Sequence, residues 1–385
     1  MSREYKKIIG IVLLIAAAVG YFVYRKKGNV VDQEEIVSQV NTKNFPLDNV
    51  LAKKNIVPVL VIGSGPAGLS AAMYTSRANL MTVVLTGQEI GGQLTEASYV
   101  ENWPGKEKKS GLEIMNDLKG QAQHFKAQLV MGEATKVNFA LWPFEVTLNT
   151  GDIVYALTIV IATGGSQKTL DIPGVKEFWG KGIGVCSICD APFDKGKDVA
   201  IIGGGDAAAD RALQLSAFAK NVILLVRAPE MRAAAVVQDY LKNTKNISIQ
   251  YNVDIKKIIG NERVSGIEIV DKKTNKVSQL PVQSVYFALG FIPRSGLFKG
   301  SIDIDSQGFI KLYDHTQQTS KKGIFAAGTV EDPMYQKSAT ACGDGSKAGM
   351  DAINFLQAID FTPDFAKKIE SLLYKIPESS QLIDA

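Results

Sequence analysis

Residues 56–74 read IVPVLVIGSGPAGLSAAMY, and the fold turns on this stretch. Its first seven residues form an apolar run of strand type, and residues 69–74 read as a helix. Between them stand Gly63, Ser64, Gly65, Pro66, Ala67 and Gly68. Strand, G-x-G-x-x-G and helix in that order make a dinucleotide fingerprint. The glycines permit a tight turn and close backbone approach to a pyrophosphate, which meets the N-terminus of the helix. The pattern returns about 140 residues later, where the apolar residues 199–202 lead into Gly203, Gly204, Gly205, Asp206, Ala207 and Ala208. A helix over 209–219 and a second strand over 221–226 complete the expected βαβ unit. Two such units imply two dinucleotides, and the usual pair is FAD with a nicotinamide coenzyme, because a flavin accepts hydride and releases electrons singly or in pairs.

Three further runs, 159–165, 285–290 and 323–328, read as strands that end in glycine turns. The expected fold is therefore α/β, with two three-layer, Rossmann-like domains. An FAD domain in two parts, 55–168 and 294–360, is interrupted by a nicotinamide domain over 169–293, and residues 361–385 form a C-terminal tail.

The 385 residues carry 43 Lys+Arg against 39 Asp+Glu. Residues 1–27 hold six of those bases (Arg3, Lys6, Lys7, Arg25, Lys26, Lys27) and one acid, Glu4. The remainder is near neutral, so nucleic-acid binding loses its main support. Between the basic flanks runs IIGIVLLIAAAVGYFVY, residues 8–24, which carries no charge. As a helix it would span about 25 Å, the lower end of a membrane span. A cleaved signal peptide is the alternative, since Ala16, Ala17 and Ala18 suit a cleavage site. The apolar run continues past those alanines and stops at Arg25-Lys26-Lys27, as an anchor does. One transmembrane helix is expected, followed by a tether over 28–54 with a short helix over 32–40. The catalytic body is expected to face the cytoplasm, where coenzyme is supplied and where a composition poor in disulfides belongs.

The chain has three cysteines, Cys186, Cys189 and Cys342. A zinc site at Cys186 and Cys189 would need two more ligands from Cys342, His124 and His315, none at a second paired spacing, and no metal is expected. A structural disulfide across two residues closes too small a loop to stabilise much. Thiol exchange suits the pair better: one thiol attacks, its neighbour resolves, and the adjacent Asp190 can protonate the departing sulfur. Asp190 also suits a helix N-cap, and the two roles are compatible.

From about residue 56 to 358 the chain resembles the low-molecular-weight thioredoxin reductases. The matching pieces are GSGPAG (63–68), TSRANL (75–80), GGQL (91–94), ENWPG (101–105), IATG (161–164), Cys-x-x-Cys-Asp (186–190), GGG (203–205), FAAG (325–328) and ATACGDG (339–345). The resemblance implies that Thr86 through Gln93, with Gly91 and Gly92, then Leu94, Asn102, Thr163, Gly164, Gly328 and the region Thr329–Ala339, with Lys337 and Ser338, line the FAD. It further implies that Cys189 lies nearest the isoalloxazine, that Cys186 attacks the partner disulfide and that Asp190 is the acid/base. In that family the nicotinamide domain rotates, the partner is thioredoxin or another redoxin, and the enzyme is a homodimer.

This chain departs from the family in three places. Thr329 stands where the family has an aspartate that holds the ribityl chain. Gln336-Lys337-Ser338 replaces Arg-Gln-Ala, which puts a cation near the flavin ring. In the turn Val226-Arg227-Ala228-Pro229-Glu230-Met231-Arg232, Arg227 and Arg232 remain of a more cationic set that receives the 2′-phosphate of NADPH, although both suit an ordinary surface turn. NADPH is expected over NADH by a reduced margin, with Glu230 the acid able to recruit NADH. The alternatives to a membrane-tethered thioredoxin reductase are a dithiol oxidase and a degenerate flavin-binding module that senses or scaffolds.

Overall fold

A computed structural model describes residues 44–97, 100–184 and 190–377. The expected membrane anchor and most of the tether lie outside the described residues. So do Cys186 and Cys189. Among the described residues no helix is long and apolar enough to cross a membrane.

The first domain is built on β1 (Ile56–Ile62), buried along its whole length because helices and loops cover both faces of the sheet. Parallel β2 (Thr82–Leu85) and then β3 (Gln128–Val130) lie on one side. The antiparallel ribbon of β4 (Ala134–Asn138) and β5 (Phe144–Leu148) leads into the nine-residue β6 (Ile153–Ile161), which runs parallel to β1 on the other side. Around this sheet lie α1 (Asp48–Leu51), α2 (Pro66–Arg77) and α3 (Gly111–His124). The last is started by a full capping box between Ser110 and Glu113.

The chain then leaves through β7 (Gly165–Gln167) into a second parallel sheet. Its members are β8 (Ile183–Gly184), β9 (Asp198–Ile202), β10 (Asn221–Val226), β11 (Ile247–Tyr251) and, after an antiparallel excursion, β15 (Ser284–Phe287), in the order β11-β10-β9-β15-β8. The excursion is β12 (Val253–Gly260), β13 (Val264–Asp271) and β14 (Val277–Pro281), a separate three-stranded sheet. Helices α4 (Asp206–Ser216) and α5 (Ala235–Asn243) complete this domain. The return crossing, β16 (Phe291–Pro293), pairs antiparallel with β7. Next, β17 (Ile324–Ala326) rejoins the first sheet beside β6, and α6 (Ser338–Ala358) packs on α2. The interrupted-domain architecture expected from the glycine turns is thus present, with β15 in the inserted domain and β17 in the first.

Two boundaries differ from the sequence expectation. Phe45 and Val50, assigned to the tether, belong to the first domain's core, where the Phe45 ring meets Trp142 and Phe355 edge-on. The C-terminal segment is also docked: α7 (Pro363–Lys368) precedes buried Ile369 and Tyr374, and the Tyr374 N–H donates to the Ile56 carbonyl. In both places a few aromatic or branched side chains bury enough apolar area to fix a segment whose neighbours are polar.

Candidate functional site

The first glycine turn opens a cleft of about 470 Å³, within the range of ligand pockets. Gly63 takes φ +113° and Gly65 is the residue before α2, so the backbone N–H groups of the first helical turn face the cleft. A Cβ on Gly65 would meet nothing within 4 Å, so the missing side chain leaves room at that wall. Of the predicted residues, Gly63, Ser64, Gly65, Pro66, Ala67, Thr86, Gly92, Gln93, Leu94, Thr163, Gly164, Thr329, Lys337 and Ser338 line this cleft. The opening, the helix N-terminus and the polar donors fit an FAD pyrophosphate and its flanking sugars.

Gly68, Gly91 and Gly328 do not line the cleft, because their roles are internal. A Cβ on Gly68 would fall 1.8 Å from the Gly63 carbonyl oxygen, and one on Gly328 2.9 Å from the Ala67 Cβ. The Gly91 N–H donates to Ser64 Oγ, whose hydroxyl in turn donates to the Thr86 carbonyl, so Ser64 ties the glycine turn to the next strand. Glu89, inside the expected span Thr86–Gln93, lines the cleft too, and Arg294 is among the lining residues missed from sequence. Arg294 brings a cation from the far side of the inserted domain, a placement that no local pattern announces. Glu89 lies about 20 residues past the glycine turn, the spacing at which such folds place the ribose partner.

A second cavity, of about 520 Å³, lies between the two domains and shares Gln93, Leu94, Gln336, Lys337 and Ser338 with the first. Asn102 and Ala339 line this second space. Its opposite wall holds Asp190, the residue after Cys189, together with Gly184, Asp194, Ser284 and Tyr286. Asp190 precedes the short turn Ala191–Asp194 without capping it through its side chain. The turn is instead pinned by Asp194, which is buried and accepts hydrogen bonds from Ser284 Oγ at 2.5 Å, Tyr286 Oη at 2.6 Å and Lys197 Nζ at 3.4 Å. Burial, then the Asp194 and Asp190 carboxylates, push the Tyr286 phenol far above its ordinary value, so it stays a donor.

Lys337 is the only charged residue, among the described residues, that lines both spaces. Burial and the Arg211 guanidinium lower its pKa, while Asp332 and Asp190 oppose that shift. The loop before it is held by Asp332, whose carboxylate accepts from the N–H groups of Met334, Tyr335 and Gln336. Cys342, the remaining thiol, sits on α6 with Sγ 3.6 Å from the Pro66 carbonyl oxygen, and burial raises its pKa to about 11. It is a packing residue behind the glycine turn.

The second glycine turn has the form of the first. Gly203 takes φ +154°, where a Cβ would lie 2.5 Å from the Ala288 carbonyl oxygen, and Gly205 is the residue before α4. Asp206 is exposed but engaged: its Oδ1 accepts from the Ala234 N–H at 2.8 Å. The Arg232 N–H donates to the Gly204 carbonyl at 2.7 Å. These two bonds hold the arginine turn, with Arg227 and Arg232 both exposed, against the glycines and the Asp206–Ala207 start of the helix.

The profile of the pyridine nucleotide-disulphide oxidoreductases matches residues 57–345. The thioredoxin reductase of Spironucleus barkhanus is 35% identical over 77% of this chain and 98% of its own. That of Streptomyces coelicolor is 36% identical over 78% and 94%. A relative from Arabidopsis thaliana, NADPH-dependent thioredoxin reductase 3, is 34% identical, and this chain spans 63% of its length. Among solved structures, the thioredoxin reductase from Giardia duodenalis has a TM-score of 0.74 at 36% identity, over 79% of this chain and 100% of its own. Matched from the first glycine turn to α6, the chain belongs to the pyridine nucleotide-disulphide oxidoreductase family, on its thioredoxin reductase branch.

Proposed function

We propose that this chain is a membrane-tethered thioredoxin reductase that passes electrons from NADPH through FAD and the Cys186/Cys189 pair to the disulfide of thioredoxin or another redoxin. The observation that carries this reading is the shared wall of Gln93, Leu94, Gln336, Lys337 and Ser338. It puts the FAD cleft next to a space bounded by Asp190. Bound FAD would supply the two-electron relay between a hydride donor and a disulfide. The protein residues do the rest. Cys189 takes the electrons, Cys186 attacks the partner's disulfide, and Asp190 moves a proton at the departing sulfur. The partner disulfide gains two electrons and two protons, one proton from the hydride and one from solvent.

Arg227 and Arg232 select the 2′-phosphate of NADPH, with a narrower margin over NADH than a fuller arginine set would give. Arg227→Ala should remove the preference, chiefly by raising KM for NADPH, and an unchanged kcat/KM ratio for the two coenzymes would refute the assignment. Residues 8–24 anchor the chain with its catalytic body in the cytoplasm, and the body works as a homodimer. Deleting residues 1–27 should release a soluble, yellow, active enzyme.

The test is coenzyme-driven reduction of an aromatic disulfide reagent by the flavin-loaded chain, with and without thioredoxin. Turnover stimulated by thioredoxin supports the reading. A bound flavin that no coenzyme reduces would instead favour a sensing or scaffolding module.

A further inference from the structure

The wall common to the FAD cleft and the second cavity is where a group bound in the first space meets the second. An FAD whose pyrophosphate lies at the first glycine turn must therefore carry its ring to Gln93, Leu94, Gln336, Lys337 and Ser338 if that ring is to face the cavity that Asp190 lines. Of these residues Lys337 alone is charged.

Lys337 is not a loose surface lysine. It is half-buried and stands immediately before the 21-residue α6, where its carbonyl accepts from the Ala341 N–H, so the first turn of a long helix fixes its backbone. On its other side the Asp332 carboxylate gathers the N–H groups of Met334, Tyr335 and Gln336 at 2.7–2.8 Å, which fixes the loop that delivers it. The carboxylates of Asp332 and Asp190 favour its charged form, against burial and the Arg211 guanidinium on α4. Ser338, the first residue of α6, lines both spaces too, and the partial positive charge of a helix N-terminus adds to the ammonium there.

We propose that Lys337 tunes the flavin: its ammonium, at the wall where the ring must lie, stabilises the negative charge of the reduced ring and so raises the flavin's reduction potential. The inference deepens the function proposed above and rests on its placement of FAD. A hydride brings two electrons and one proton to the ring and leaves it with one negative charge. A cation in a partly desolvated site attracts that charge far more than it attracts the neutral oxidised ring. The raised potential favours entry of electrons from the nicotinamide and holds back their delivery to the disulfide. An uncharged residue at this position removes the attraction while leaving the glycine turn as it is.

The test uses the full, flavin-loaded chain with Cys186→Ser and Cys189→Ser, so that no dithiol competes with the flavin for electrons. The flavin is equilibrated anaerobically against a dye of known potential, a measurement in which neither coenzyme nor thioredoxin takes part. Lys337→Gln and Lys337→Met should each shift that equilibrium about tenfold toward oxidised flavin, about 30 mV for a two-electron couple. Lys337→Arg, which keeps the charge, should stay within about twofold of the unaltered residue. FAD retention and Tm are measured on each variant, because a role in packing alone would change these and leave the potential where it was. A potential that is unchanged in both Lys337→Gln and Lys337→Met, or that falls as far in Lys337→Arg, would overturn the proposal. A flavin that shows the shift but that NADPH does not bleach, in the chain with both cysteines, keeps the tuning role and removes the thioredoxin reductase reading. A chain that binds no FAD removes both.

Discussion

Asp194 is the residue on which the local geometry depends most, and it went unnoticed in the sequence because its partners lie about ninety residues away on β15. Asp194→Ala would leave the Ser284 and Tyr286 hydroxyls buried without their acceptor and free the turn behind Asp190. The expected loss is about 3–5 kcal/mol of unfolding free energy, the range for breaking a buried charged network. Denaturant unfolding measures it, and a loss below about 1 kcal/mol would contradict the role given to the carboxylate. Glu331 offers a second test at this scale. Burial, with Asp344 next, raises its pKa to about 7, while the hydrogen bond from Gln317 and the Lys347 charge act in the opposite direction. Because the folded-state pKa exceeds the unfolded one, the native protein holds the proton more tightly. The stability this supplies is fully present at acid pH and is lost as pH rises from about 4.5 through 7. Glu331→Gln, which keeps the acceptor for Gln317, should therefore raise Tm at pH 8 and leave it nearly unchanged at pH 4. An equal shift at both pH values would show that the carboxyl does not titrate in this window.

At the scale of elements, the packing of α2 on α6 joins the two halves of the interrupted domain. A Cβ at Gly345 would lie 2.0 Å from the Ala67 carbonyl oxygen, inside the first turn of the helix that faces the FAD cleft. Gly345→Val should cost several kcal/mol through overpacking against backbone that cannot give way. It should also weaken FAD retention more than a matched substitution at exposed Met350, and retention equal to that of the unaltered chain would contradict the packing argument. Elements of this kind were the most legible part of the sequence. The strand read over 221–226 is β10 as found, and each glycine turn is followed by its helix. The helix expected from residue 209 begins at Asp206, because the last glycine of the turn is the residue before the first helical turn. The docking of Phe45 and Val50, and of Ile369 and Tyr374, was not legible. Short segments with one or two apolar anchors show no periodicity, and only the surface they land on explains their burial.

For the whole molecule, the two nucleotide units foretold the interrupted fold of the family, but not the contacts that fix how the domains are arranged. That arrangement depends on contacts between distant segments, such as Gly165 of β7 against Phe291 of β16, and on Lys337, whose place between two cavities no spacing rule predicts. The central claim is that two-electron equivalents entering at the flavin are stored on the Cys186/Cys189 pair before they leave. Anaerobic titration of the flavin-loaded chain with dithionite tests it most directly. The unaltered protein should take up one two-electron equivalent for the flavin and a second for the disulfide, whereas Cys186→Ser and Cys189→Ser should each keep their flavin, take up only the first, and fail to reduce thioredoxin. Equal uptake by all three proteins, or full thioredoxin reduction by either variant, would contradict the account.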